Sequence, residues 1–278
     1  MLYLLLAIAS SALVSIAMRL SEGRTTGRIN MLVVNYITCL ALAAFYMDFG
    51  SLLPGTDGIG LAVGLGLLTG LLYLLAFVLL QVNIRLNGVV MSATFMKLGL
   101  LVPMVLSIGL FGEIPSIIQS IGFLLAVAAI ILINFEKNQT TMRFRLGLIL
   151  LLLTGGGGDA MSKVFEQTGN PALSEYYLFY TFASALILCL ALAAYKRERP
   201  GLGDLFFGLL VGIPNYFSAR FLLKALGHIP AVIAYPTYSV ATIITITAAG
   251  LFFFRETLSK RQKTAICIIL AALVLLNI

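Results

Sequence analysis

Long apolar stretches alternate with short polar breaks along the whole chain, and each stretch is close to the roughly 20 residues one helix needs to cross a hydrocarbon core about 30 Å thick. Reading those stretches against Pro, Gly and charge predicts helices at 1–20, 29–47, 58–82, 87–111, 115–134, 145–167, 174–195, 202–226, 229–254 and 261–278. The runs are too long and too continuously apolar for barrel strands. Backbone polar groups in lipid must also be satisfied within their own segment, so the predicted class is an all-α integral membrane protein with ten transmembrane helices. The stretch from Met1 to Leu20 has no basic n-region and exceeds a signal-peptide core, which predicts a retained first helix.

The pattern also repeats. A shift of 143 residues places Ala17-Met18 on Ala160-Met161, Glu113 on Glu256, Ser116 on Ser259, Ala128-Ala129 on Ala271-Ala272 and Asn134 on Asn277. With a slip of one residue, Gly66 and Gly70 fall on Gly208 and Gly212, a small-xxx-small face that lets helices three and eight approach their neighbours closely. Two units of five helices are therefore expected, 1–138 and 139–278.

Composition supports the bilayer: 60% of the 278 residues are hydrophobic and only 10% are charged, too few for a water-facing surface. The net charge of +7 is scattered through short loops with no basic stripe, which argues against nucleic acid. Of the 18 Lys and Arg, 14 follow odd-numbered helices: Arg19, Arg24, Arg28, Arg85, Lys137, Arg143, Arg145, Lys196, Arg197, Arg199, Arg255, Lys260, Arg261 and Lys263. Only Lys163 and Lys224 border the other loops. The positive-inside rule then sets odd loops in the cytoplasm and both termini outside, in a multi-pass plasma-membrane protein. Five helices per repeat, an odd number, make the two repeats inverted. Cys39, Cys189 and Cys267 sit singly in apolar runs and read as small buried hydrophobes; no cofactor or metal is called for.

Two five-helix copies, each with an acidic residue closing its fourth helix (Gly112-Glu113 and Arg255-Glu256), then a Ser and a small-residue-rich last helix, resemble the EamA-type members of the drug/metabolite transporter superfamily. The resemblance covers the whole chain. It implies a secondary transporter whose helices one, three, four, six, eight and nine line a central cavity closed by two alternating gates, with a small-molecule solute and membrane lipids as partners. Proteins of this build carry amino acids, sugars, nucleotide conjugates and drugs.

Charge inside a bilayer costs several kcal/mol and faces a partner or a wet cavity, so Lys97, Asp159 and Arg220, on helices four, six and eight, are the leading substrate-binding candidates. One carboxylate against two cations, with Lys163 one turn beyond Asp159, predicts a net positive cavity suited to an anionic or amino-acid-like solute. The competing structural readings pair Asp159 with Lys97 or Arg220 as a helix-locking salt bridge, or let Arg220 and Lys163 snorkel to the interface. Asp159 is also a candidate proton carrier, because desolvation and a nearby cation pull its protonation in opposite directions. Asn215, Tyr216, Tyr235, Thr237 and Tyr238 add hydrogen-bonding and aromatic groups on cavity-side helices; Asn35 and Tyr36 sit on a helix expected at the periphery.

Four glycines at 155–158 suit close packing or a local break, and Pro103, Pro214 and Pro236 predict kinks inside helices four, eight and nine. Glu113 and Glu256, each followed three residues on by Ser, read as caps for helices five and ten, and His228 as a solvated loop residue. The Gly-Gly-Gly-Asp run ending at Asp159 resembles the GxGD element of intramembrane aspartyl proteases, but Asp48, Asp57 and Asp204 all lie at loops or helix ends, leaving no second carboxylate to share a proton. No HExxH, GxSxG or GxxxxGK[ST] occurs, which disfavours an enzyme or a self-contained nucleotide-powered pump. The alternatives to a polar-metabolite carrier are an exporter of hydrophobic or cationic drugs, a lipid scramblase, and a non-transporting membrane scaffold.

Overall fold

The apolar runs become helices in a computed structural model that describes residues 1–21, 24–47, 55–87, 92, 95–96, 98–134, 145–196, 200–254 and 260–277. Among them are ten α-helices: α1 (Leu2–Ser21), α2 (Arg28–Tyr46), α3 (Ile59–Asn87), α4 (Leu101–Phe111), α5 (Ile117–Asn134), α6 (Arg145–Thr168), α7 (Ser174–Lys196), α8 (Leu202–Leu226), α9 (Ala231–Phe254) and α10 (Lys260–Leu276). Among the described residues, seven segments are long and apolar enough to cross a membrane, and three apolar helices are shorter. This is a multi-pass helical membrane protein.

Helix ends follow local chemistry. Asp204, fully buried, accepts from the backbone N–H groups of Thr26 and Gly27 ahead of α2 (2.9 and 3.2 Å) and of Gly201 ahead of α8 (2.8 Å). One carboxylate thus satisfies three orphan donors at two helix starts, which offsets the cost of burying its charge. Ser116 and Gln119 form a capping box for α5, each side chain accepting from the other's backbone N–H (3.1 and 3.0 Å). Glu113 is therefore not the cap of helix five; it accepts from the N–H groups of Ala231 and Val232 (2.6 and 3.4 Å) and caps α9. Glu256 lies outside the described residues.

Helices three and four depart from the sequence expectation. Helix α3 continues to Asn87, and helix four is interrupted: Ser92, Phe95, Met96 and Leu98 are helical, a turn follows at Gly99 and Leu100, and α4 runs from Leu101. Pro103 explains the interruption, because it has no N–H to offer Gly99, four residues back, whose carbonyl instead accepts from Val102 N (2.9 Å). Pro103 consequently sits in the first turn of α4, where the missing donor costs little, whereas Pro214 and Pro236 lie inside α8 and α9. The turn also packs on the glycine run of α6: a Cβ on Gly99 would stand 2.9 Å from Gly156 N, and one on Gly156 would overlap the Gly99 carbonyl. The run serves packing at that position.

The chain forms two compact units, Met1–Leu74 with Met161–Gly227, and Leu75–Ala160 with His228–Ile278. In the first, α8 packs along α1 and α2, and α2 along α7. Glycines set the closest approaches: Cβ atoms on Gly208 and Gly212 would press on Val34 and Thr38 of α2, and those on Gly66 and Gly70 on the α7 backbone at Tyr177 and Thr181. In the second, α5 packs along α10, with Gly122 against Leu275 and with Ala126, Ala129 and Ile130 meeting Ile269, Ala272 and Leu276. Helix α10 buries Ala265, Ile269, Ala272 and Leu276, so Cys267 falls on its opposite face and is exposed, unlike buried Cys39 and Cys189.

Candidate functional site

Polar side chains within the spans gather in groups. In the first unit, Glu175 on the opening turn of α7 receives Arg220 Nε on Oε1 at 2.6 Å and the Tyr216 hydroxyl on Oε2 at 2.7 Å. The Arg220 guanidinium carbon lies 3.8 Å from the centroid of the Tyr46 ring, and Tyr46 stacks on Tyr216 with centroids 5.9 Å apart and planes 10° from parallel. Four side chains from α2, α7 and α8 therefore enclose one ion pair whose members are 16% and 17% exposed. Helical spacing makes the arrangement: Tyr216 and Arg220 are four residues apart and share a face of α8.

A second group joins α6, α7 and α3. Lys163, 1% exposed, donates to Glu166 Oε2 at 2.7 Å, and Gln167 Nε2 reaches the same oxygen at 2.9 Å. Tyr177, stacked on Phe165 at 4.4 Å, contacts Thr69 Oγ1 at 2.9 Å and Ser162 Oγ at 3.0 Å. Thr69 spends its one hydroxyl hydrogen on the Leu65 carbonyl (2.8 Å), so Tyr177 donates to Thr69. Asn215 donates to Asn35 Oδ1 (3.1 Å) and Cys39 Sγ (3.6 Å), which makes it an interhelical tie to the helix expected at the periphery.

In the second unit, the Tyr235 hydroxyl donates to the backbone carbonyl of Asp159 at 2.6 Å, bringing two of the expected residues together. Tyr238 lies three residues on along α9, half-buried, and Thr237 accepts from Asn277 Nδ2 at 3.4 Å. Among the described residues, the buried hydroxyls of Ser107 on α4 and Thr242 on α9 have no hydrogen-bond partner. Lys97 lies outside the described residues.

Two expectations are corrected. Arg220 pairs with Glu175, not with Asp159, and neither Arg220 nor Lys163 reaches out to snorkel, since each turns onto a carboxylate inside its own unit. The expected positive balance omitted Glu166 and Glu175. Sequence reasoning also passed over Tyr46, Thr69, Ser162 and Tyr177. Glu175 carried a signal, a carboxylate just inside an apolar run, but an acid on a first helical turn is equally well explained by the helix dipole.

Residues 142–278 match the EamA-like transporter family. An uncharacterized protein of Haemophilus influenzae is 27% identical over 282 residues, spanning 97% of this chain and 95% of its own. A crystal structure of a protein 14% identical superimposes with a TM-score of 0.78 over 99% of this chain and 96% of that one, a likeness of fold alone.

Proposed function

We propose that this chain, whose residues 142–278 match the EamA-like transporter family, is a secondary transporter that moves a small polar metabolite across the plasma membrane by alternating access. The family match over residues 142–278 supports a membrane transporter of the drug/metabolite type, with a small-molecule solute and lipids as partners. The observation that carries the finer reading is the inward turn of polar groups within the spans: Lys163, Tyr216 and Tyr235 are 1%, 0% and 1% exposed. Each is paired, with Glu166, Glu175 and the Asp159 carbonyl, and such bonds between polar groups inside the spans are what a polar solute would exchange for its own.

Two inverted five-helix repeats, 1–138 and 139–278, are the arrangement we assign, with both termini outside. Its support is the register of the halves together with the glycine seams, where α8 meets α2 and α3 meets α7 through corresponding positions. Glu166 and Glu175 balance Lys163 and Arg220, so the solute class favoured is amino-acid-like, bearing both signs of charge, and not simply anionic. Asp159, Lys97, Arg220, Tyr216, Tyr235, Tyr238, Asn215 and Lys163 are the proposed binding set, with Asp159 also a proton carrier.

A second reading, export of hydrophobic compounds, draws on an apolar groove of about 510 Å³ between α1 and α8, lined by Leu13, Pro214, Phe217 and Phe221 among others. A thermal-shift screen of metabolites on purified protein separates the two readings. Polar hits that vanish in Lys97→Ala and Asp159→Asn support the polar cleft; hits unchanged in both remove that site, and hits confined to apolar compounds favour the groove.

A further inference from the structure

We infer that Arg220, Tyr216 and Tyr46 form a carboxylate-binding site held in this state by the protein's own Glu175, and that protonation of Glu175 releases the site to a solute carboxylate. The inference rests on the transporter reading above and names the chemical group that the solute presents.

The geometry is that of a bound carboxylate. One oxygen of Glu175 meets a guanidinium N–H at 2.6 Å and the other meets a phenol O–H at 2.7 Å, so both oxygens are engaged by charge-assisted bonds. The guanidinium is held from the other side by the Tyr46 ring at 3.8 Å, and that ring is fixed by stacking on Tyr216. A receptor for a planar anion is thus preorganised on α8 and α2, while its occupant belongs to a third helix, α7. Both charged members are partly exposed, 16% and 17%, so the pair is not sealed inside the helix bundle.

The exchange balances. A proton from water adds to the Glu175 carboxylate and makes it a neutral acid that no longer holds Arg220 by charge. A solute carboxylate then takes its place on Arg220 and Tyr216, so one proton and one negative charge enter together and the site keeps its net charge. When the proton leaves, Glu175 recovers its charge and expels the solute. Among the described residues, the charged and titratable groups shown against Glu175 are Arg220 and Tyr216 of α8, with Tyr46 of α2 behind Arg220; Lys224, further along α8, faces the Tyr3 ring of α1 at 5.7 Å.

Benzoate, with its uncharged isostere benzamide as control, tests this by calorimetric titration of the purified full-length protein from mildly acidic to alkaline pH. Benzoate affinity is expected to fall roughly tenfold per pH unit once Glu175 ionises, as linkage to one proton requires. Glu175→Gln should abolish that slope and bind benzoate at least roughly tenfold more tightly than wild type at the alkaline end. Arg220→Gln should lose at least roughly tenfold at every pH. Should Glu175→Gln fail to fold, infrared difference spectra of the wild type decide, since benzoate, but not benzamide, must raise the protonated-carboxyl band.

Benzoate binding that ignores pH in the wild type, or that is no tighter in Glu175→Gln, overturns the inference. If a polar solute without a carboxylate is transported equally by wild type, Glu175→Gln and Arg220→Gln, the transporter reading stands and this site falls. Benzoate binding that follows the expected slope in a protein that transports nothing has the opposite meaning.

Discussion

The two compact units are held together by different chemistry. The first ties its helices with ion pairs and hydroxyl chains: Arg220 with Glu175 and Tyr216, Lys163 with Glu166, and Tyr177 between Thr69 and Ser162. The second has an apolar core of Leu100, Ala126, Ala129, Ile130, Val240, Ile243, Ile269, Ala272 and Leu276, and its described polar links run mainly to backbone, as at Glu113 and Tyr235. Lipid tails are as apolar as leucine, so helix association in a membrane depends on close packing and on polar bonds. Among the described residues, a side-chain ion pair joins helices of the first unit, and an apolar cluster with small-residue contacts joins those of the second.

Gly208→Leu should have the largest effect, because even its Cβ would come within 2.5 Å of Val34 Cβ and 2.8 Å of the Met31 carbonyl. Overpacking of this kind costs about 3 kcal/mol, read as a lower unfolding midpoint in detergent. Gly122→Leu, at 2.9 Å from Leu275 Cβ, should cost a similar amount in the second unit, since packing is common to both. Glu175→Ala comes next: it strands Arg220 without its carboxylate, at about 2 kcal/mol after allowance for partial exposure. A variant as stable as wild type would show that the pair is idle.

Smaller effects sharpen the contrast. Glu113→Ala removes the acceptor at the start of α9 and should cost about 1 kcal/mol, with hydrogen exchange rising at Ala231 and Val232. Tyr177→Phe breaks two hydroxyl contacts at about 0.6 kcal/mol each, the average for polar bonds between membrane helices. Tyr235→Phe, which loses one bond to a backbone carbonyl, should cost less than Tyr177→Phe; the reverse order would contradict the assignment of polar ties to the first unit.

Much of the fold was legible because the bilayer imposes one length and one polarity on every span. Helix α8 begins and ends at the residues expected, and the other boundaries shift by a few positions except around Asn87 and Leu101. There a proline acted on a carbonyl four residues back and a glycine met another glycine 57 positions away, Gly99 against Gly156, which no local pattern reveals. The site was legible by residue type and not by partner. Arg220, Tyr216 and Asn215 were recognisable as polar groups on a cavity-side helix, but Glu175 is 45 residues from Arg220 and Asn35 is 180 from Asn215. Such pairings depend on which faces of which helices meet. Glu113 shows the same limit: an acid at a helix end was evident, but the helix it serves was not the next one.

Counterflow of labelled small polar metabolites into liposomes containing the purified chain tests the central claim most directly. Saturable accumulation of a carboxylate-bearing solute, accelerated by unlabelled solute inside and lost in Arg220→Gln, is the expected result. Solute-independent leakage, or movement of labelled lipid between leaflets with no solute accumulation, would contradict transport by this protein.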